Sequence, residues 1–142
     1  MDKVALVTGS NSGIGLETCL ALARDGYKVY ASMRNTGKAE ELNAAAVKEN
    51  LSINVIELDV DKEDSIVSAV KKIIDESGRI DVLVNNAGYG QFGAVEDVSI
   101  ERAKNQFDVN LFGLVRMTQE VLPFMRDRKE GTIINTSSDR KS

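Results

Sequence analysis

Short apolar runs alternate along this chain with longer segments in which apolar residues recur every three or four positions, and the alternation repeats five times. The runs Val4 to Val7, Lys28 to Ser32, Ile53 to Leu58, Ile80 to Asn85 and Thr132 to Thr136 read as strands. The spacing predicts a first helix over Gly13 to Arg24, with Ile14, Leu16, Leu20 and Ala23 available to pack on a sheet and Gly26 placed to cap it. Thr36 to Asn50 predicts a helix opened by a Thr cap, with an apolar stripe so weak that most of its surface is expected to be exposed. Asp61 is placed to cap a third helix, in which Ile66, Val67, Val70, Ile73 and Ile74 share a face and which ends at Gly78. Ser99 opens a long helix to about Arg126. Its apolar residues between Phe107 and Met125 cover more than one stripe, so it is expected to pack on the sheet and on something else, and Pro123 is expected to kink or end it.

Strand and helix in strict alternation predict an α/β fold: a doubly wound parallel sheet of five strands in the order 3-2-1-4-5, with right-handed crossovers and helices on both faces. In that order the first and fourth strands meet where the winding reverses, and ligands bind outside the carboxyl ends of the strands at that point. Residues 1–142 show no linker, repeat or low-complexity segment, and are expected to form a single domain.

Composition narrows the chemistry. The 142 residues are 42% hydrophobic and 28% charged, enough for one domain with a core. A net charge of −4 with scattered Lys and Arg gives a nucleic-acid partner no electrostatic support. No apolar run approaches the ~20 residues of a membrane span, and Met1-Asp2-Lys3 enters a strand without a signal-peptide pattern, so the expected location is cytoplasmic with no membrane partner. There is no His and one Cys, which excludes a Ser-His-Asp triad, a Cys-His pair and the usual zinc sites. Cys19, in the first helix, reads as a buried small apolar residue rather than a reactive thiol. Acid/base chemistry must come from Ser, Tyr, Lys, Asp or Glu.

The stretch Thr8-Gly9-Ser10-Asn11-Ser12-Gly13-Ile14-Gly15 joins the first strand to the first helix. Three glycines there suit a backbone that needs unusual φ values and must approach a ligand without an intervening Cβ. The free N–H groups of the first helical turn and the positive end of the helix dipole then face an anion such as a pyrophosphate. A tight turn with no ligand is the competing reading. The spacing G-x-x-x-G-x-G is neither the common G-x-G-x-x-G fingerprint nor a P-loop, since no Gly-Lys-Ser/Thr follows, and this disfavours a kinase or NTPase. At the end of the second strand, Tyr30-Ala31-Ser32-Met33-Arg34 lacks the carboxylate that holds an NAD ribose, while Arg34 is placed for a 2′-phosphate and Lys38 adds a second charge. The expected cofactor is NADP in preference to NAD. A solvated loop arginine is the alternative.

The T-G-x-x-x-G-x-G pattern resembles the short-chain dehydrogenase/reductase family, and four further stretches extend the resemblance over the whole chain. Leu58-Asp59-Val60 resembles the segment that flanks the adenine ring, so Asp59 and Val60 are implied there. Asn85-Asn86-Ala87-Gly88 resembles the N-N-A-G element that steadies the sheet and passes beside the cofactor, implicating Asn86, Ala87 and Gly88. In the long helix, Val109-Asn110-Leu111-Phe112-Gly113 resembles the segment whose Asn holds a water in a proton relay, and Val109 lies beside it. Asn135-Thr136-Ser137-Ser138 resembles the N-x-S-S segment, in which Ser138 corresponds to the residue that hydrogen-bonds the reacting oxygen. Each stretch also has a plain reading: Asn85 and Asn86 satisfying backbone groups at a strand end, Asn110 a surface amide, Ser137 and Ser138 loop residues.

The resemblance implies a Rossmann fold and hydride transfer between nicotinamide C4 and an alcohol or carbonyl substrate, with a Tyr as proton donor and a Lys four residues later lowering its pKa. The chain contains no Y-x-x-x-K: Tyr27, Tyr30 and Tyr89 are followed at the fourth position by Ala31, Arg34 and Gly93. NADP-preferring relatives also often carry a basic residue within the glycine loop, where this chain offers Ser10, Asn11 and Ser12. Three readings follow: part of an oxidoreductase truncated before the Tyr and Lys, a dinucleotide-binding module without catalysis, or a fold fragment that does neither. A fifth strand with an open edge and an apolar excess on the long helix predict a homo-oligomer, and the resemblance places that helix at a subunit interface.

Overall fold

The apolar runs form parallel strands β1 (Val4–Val7), β2 (Lys28–Met33), β3 (Ile53–Glu57), β4 (Val82–Asn85) and β5 (Thr132–Asn135). Their order across the sheet is β3-β2-β1-β4-β5, and every pairing is parallel. The intervening segments form α1 (Gly13–Arg24), α2 (Glu40–Lys48), α3 (Glu63–Ser77) and α4 (Ile100–Arg128). The computed structural model describes residues 2–86 and 100–136, with the backbone alone of Ala103 and residues 106–110.

Successive strand residues point to opposite faces, so each buried strand feeds two cores. On one face Val4, Leu6, Tyr30 and Leu83 pack against Ile66, Val70 and Ile73 of α3 and Met117, Val121 and Met125 of α4. On the other, Ala5, Val7, Val29, Ala31, Val82 and Val84 pack against Leu16, Cys19 and Leu20 of α1 and Leu42 and Ala46 of α2. Ala5 and Ala31 are small, which lets α1 lie close over the centre of the sheet. Full burial of a residue such as Leu6 or Ile73 contributes about 1.5–3 kcal/mol.

Several local expectations are corrected. Ile14 is 59% exposed. With Leu16, Cys19 and Leu20 turned to the sheet, Ile14 lies about 200° round the helix from Leu16. Val67 is 39% exposed for a similar reason, one position past Ile66. Thr36 opens a 3-10 turn, Thr36–Lys38, whose cap is Asn35, and the α-helix begins only at Glu40. The Asn35 side chain accepts from the Gly37 N–H at 2.9 Å, and this local bond together with a glycine competes with a continuous helix. Largely exposed as expected, α2 buries Leu42 and Ala46.

Asp61 does not cap α3: the helix begins at Glu63, so Lys62 stands at the cap position, without a side-chain bond, and Asp61 lies one residue before it, its N–H donating to the Asp59 carboxylate at 3.0 Å. The other end is Gly78, in the left-handed conformation. Pro123 lies inside α4, which continues to Arg128. Proline costs the helix one N–H bond, and burial of Val121 and Met125 on either side holds the helix through it. As its pattern suggests, α4 carries a second stripe: Leu111, Phe112 and Val115 are 48%, 44% and 41% exposed. Ser99 lies outside the described residues.

Candidate functional site at the β1–β4 switch point

The switch point is built from polar residues at the carboxyl ends of β1, β4 and β5. The Asn86 N–H donates to Thr8 Oγ1 at 2.9 Å, and the Thr8 N–H to the Val84 carbonyl at 3.0 Å. The Asn86 side-chain amide donates to the Gly9 carbonyl at 3.0 Å, while its Oδ1 accepts from Thr136 Oγ1 at 2.8 Å. Asn85 Nδ2 donates to Asn135 Oδ1 at 2.9 Å and reaches Thr118 Oγ1 of α4 at 3.4 Å. Asn85 and Asn86 thus clamp three strands together on the side where a ligand would enter, and hydrogen bonds of this kind each contribute about 0.5–1.5 kcal/mol.

The glycine loop rests on this clamp. Gly9 and Gly13 have φ of 64° and 60°. Gly15 is needed for a different reason: a Cβ there would sit 2.0 Å from the Gly9 carbonyl oxygen and 2.6 Å from Asn86 Nδ2. Around Gly13 a Cβ would meet nothing within 4 Å among the described residues, so this glycine borders space that they leave open. Ser10 is fully buried; its hydroxyl donates to the Val7 carbonyl at 2.8 Å and its N–H to the Ser32 carbonyl at 3.0 Å. Its side chain shapes the loop from behind. Ser12 is the cap residue of α1, extended, with no side-chain bond to the first turn. Leu16 N–H is the first to find a partner, in the Ser12 carbonyl, and the N–H groups of Gly13, Ile14 and Gly15 have no acceptor among the described residues. Unsatisfied donors at the positive end of a helix beside open space fit an anionic phosphate.

Arg34 follows β2 directly and is exposed, with no ion pair to it among the described residues. It is close enough to Asp61 to act on that carboxyl electrostatically: burial and the neighbouring Asp59 charge raise the Asp61 pKa, and Arg34 opposes them. Lys38 is exposed in the 3-10 turn. Asp59 is tied down by its own N–H, which donates to Ser65 Oγ at 2.8 Å, and by its carboxylate, which accepts from Asp61. Val60 packs on the core beside α4. Cys19, beneath the loop, has its thiol pushed up to about 11 by burial, against a smaller opposing effect of Ser10, and stays protonated.

The structure therefore brings Gly9, Asn11, Ser12, Gly13, Ile14 and Gly15 together with Asn86, and places Arg34, Asp59 and Val60 at the ends of the neighbouring strands. Ala87, Gly88 and Ser138 lie outside the described residues, as do the side chains of Val109 and Asn110, whose backbone belongs to α4. Residue-by-residue reading passed over Thr8, Asn135 and Thr136, which complete the clamp; their signal was a polar residue at the end of an apolar strand. No group of three or more His, Cys, Asp or Glu side chains positioned for a metal ion occurs among the described residues, and no described helix is long and apolar enough to cross a membrane.

Comparison with known proteins agrees with this geometry. The family model for short chain dehydrogenases matches residues 3–141. Human retinol dehydrogenase 8 is 42% identical over 140 residues, 96% of this chain and 44% of that protein. An uncharacterized oxidoreductase of Bacillus subtilis, YusZ, is 44% identical over 138 residues, 96% of this chain and 49% of that one. The chain thus spans about half the length of the curated relatives it matches. A metagenomic short-chain oxidoreductase solved in complex with NADP superposes with a TM-score of 0.81 at 30% identity, covering 94% of this chain and 61% of the other. With the sheet order, the glycine loop and the family match in agreement, the chain belongs to the short-chain dehydrogenase family.

Proposed function

We propose that residues 1–142 are the dinucleotide-binding part of an oxidoreductase that prefers NADP and acts on a small alcohol or carbonyl compound. The observation that carries this reading is the first turn of α1: donors without acceptors at Gly13, Ile14 and Gly15, next to a glycine bordered by open space. Those groups, with Asn11 and Ser12, would hold the pyrophosphate; Asp59 and Val60 would flank the adenine; Asn86, Ala87, Gly88 and Val109 would line the passage towards the nicotinamide. The bound cofactor supplies hydride chemistry at nicotinamide C4. Ser138 orients the substrate oxygen, and Asn110 holds a water in the proton relay. Residues 1–142 contain no Y-x-x-x-K, the pair that the family resemblance implies for proton transfer.

The NADP preference rests on Arg34, a guanidinium free of ion pairs among the described residues, at a strand end without a carboxylate. It is supported by the NADP complex of the similar metagenomic enzyme. The exposed stripe of Leu111, Phe112 and Val115 on α4 supports self-association, and a cytoplasmic location accords with the sequence. Fluorescence titration with NADPH and NADH at moderate salt tests the proposal. Tighter binding of NADPH is expected; tighter NADH binding overturns the preference, and no binding of either overturns the dinucleotide reading.

A further inference from the structure

We infer that Gly113 of α4 is a positioning residue for the adenine side of the cofactor, acting through Val60; this rests on the dinucleotide reading above. A Cβ at Gly113 would stand 3.0 Å from both Val60 Cγ2 and the Val60 carbonyl oxygen, and 3.1 Å from Val60 Cβ. The helix and the loop that follows β3 are therefore in contact at the one α4 position without a side chain. The missing methyl sets how deeply Asp59-Val60 sits.

Which side would give way is decided by what holds each. Met117, Val121 and Met125 anchor α4 in the core. Arg116, one turn on from Gly113, reaches the first turn of α3 through Nη2 to Glu63 Oε2 at 2.9 Å. Among the described residues the loop is held only by bonds within itself and to the start of α3: Asp59 N–H to Ser65 Oγ at 2.8 Å, Asp61 N–H to Asp59 Oδ1 at 3.0 Å and Lys62 N–H to the Asp59 carbonyl at 3.0 Å, with partial burial of Val60. A methyl on Gly113 moves the loop by a few tenths of an ångström, because the neighbour at such a distance must yield. The phosphate loop does not follow, since Gly9, Gly15 and Asn86 brace it independently of Val60. Alanine is the better helix former, so Gly113→Ala does not act by weakening α4.

The test compares the chain with its Gly113→Ala variant in binding ADP-ribose, which carries the adenine, and inorganic pyrophosphate, which probes the glycine loop alone. ADP-ribose is expected to bind about tenfold more weakly to the variant, with pyrophosphate unchanged within about twofold. Amide exchange at Asp59 and Asp61 is expected to quicken while that at Leu16 holds. Equal weakening of both ligands, or unchanged exchange at Asp59 and Asp61, overturns the inference. If the unsubstituted chain binds neither ligand, the dinucleotide reading fails and the adenine role with it, while exchange still decides whether Gly113 seats the loop.

Discussion

The side-chain amide of Asn86 donates to the carbonyl of Gly9 at 3.0 Å, joining residues 77 positions apart in sequence. That bond ties the start of the glycine loop to the end of β4, and the same Asn86 accepts from Thr136 at the end of β5. Asn86→Asp keeps the shape and replaces the donor with an oxygen facing the Gly9 carbonyl oxygen. We expect a loss of about 1–3 kcal/mol in stability and weakened dinucleotide binding, because the carbonyl loses its partner in a half-buried site. Denaturant melts and a binding titration of the same variant check both; an unchanged midpoint would contradict the role given to this bond.

Gly13 and Gly15 are expected to fail differently. Gly15→Ala forces a Cβ onto the Gly9 carbonyl, so the loop must shift, and both the thermal midpoint and binding should fall. The Cβ of Gly13→Val meets no atom of the described residues within 4 Å, but the substitution imposes a β-branched residue at φ 60° and fills space beside the unpaired N–H groups. It should abolish dinucleotide binding while most helix content survives, at a cost of about 1–2 kcal/mol. Circular dichroism with a fluorescence titration separates the two; unchanged affinity in Gly13→Val would remove the phosphate from this loop.

Arg34→Asp places a carboxylate where NAD-binding enzymes of this fold keep one. NADPH should then bind more weakly, NADH should lose less or gain, and the order of affinities should invert. Parallel titrations at two salt concentrations are decisive, since a guanidinium contact to phosphate weakens as salt rises. Equal effects on both cofactors would show Arg34 to be an ordinary surface residue.

At the opposite end of the sheet, Asp81 is buried and accepts from the Val4 N–H at 2.8 Å and from Arg79 at 2.7 and 2.8 Å. Burial alone pushes its carboxyl up, but the Arg79 and Val4 bonds together outweigh this and leave its pKa lowered. A carboxyl lowered on folding adds stability above its unfolded pKa of about 3.9 and loses it as pH falls towards the folded value. Asp81→Asn should therefore lower Tm by on the order of 5 °C at neutral pH. The gap between the two proteins should shrink below about pH 4. A gap that stays constant into acid would show the charge to be irrelevant.

Leu111, Phe112 and Val115 give α4 an apolar stripe that none of its own core contacts covers. A dimer or larger oligomer is expected, and Phe112→Glu should shift it towards monomer because a carboxylate is costly to bury without a partner. Sedimentation across a range of concentrations reads this directly. A concentrated, unsubstituted chain that stays monomeric would contradict it.

What the sequence by itself determined is what depends on neighbours along the chain. Apolar runs such as Val4 to Val7, the helical spacing of Ile66, Val70 and Ile73, the left-handed stop at Gly78 and the glycine-rich turn are local patterns, and their strict alternation left one sheet order to expect, the one observed. Even locally, helix starts escaped it: the Asn35 turn split α2 from its expected start, and α3 begins at Glu63, one residue too late for Asp61 to stand at its cap. Only the tertiary structure decided which face each helix presents, so that Ile14 is exposed while Leu16 and Leu20, expected to pack beside it, are buried. It alone assigned the glycines their separate tasks, Gly15 against Gly9 and Asn86, and Gly113 against Val60. The physical reason is that apolar periodicity records that a residue is to be buried, whereas a close approach of backbones is created by the partner strand or helix, and that partner is brought near only when the sheet is wound.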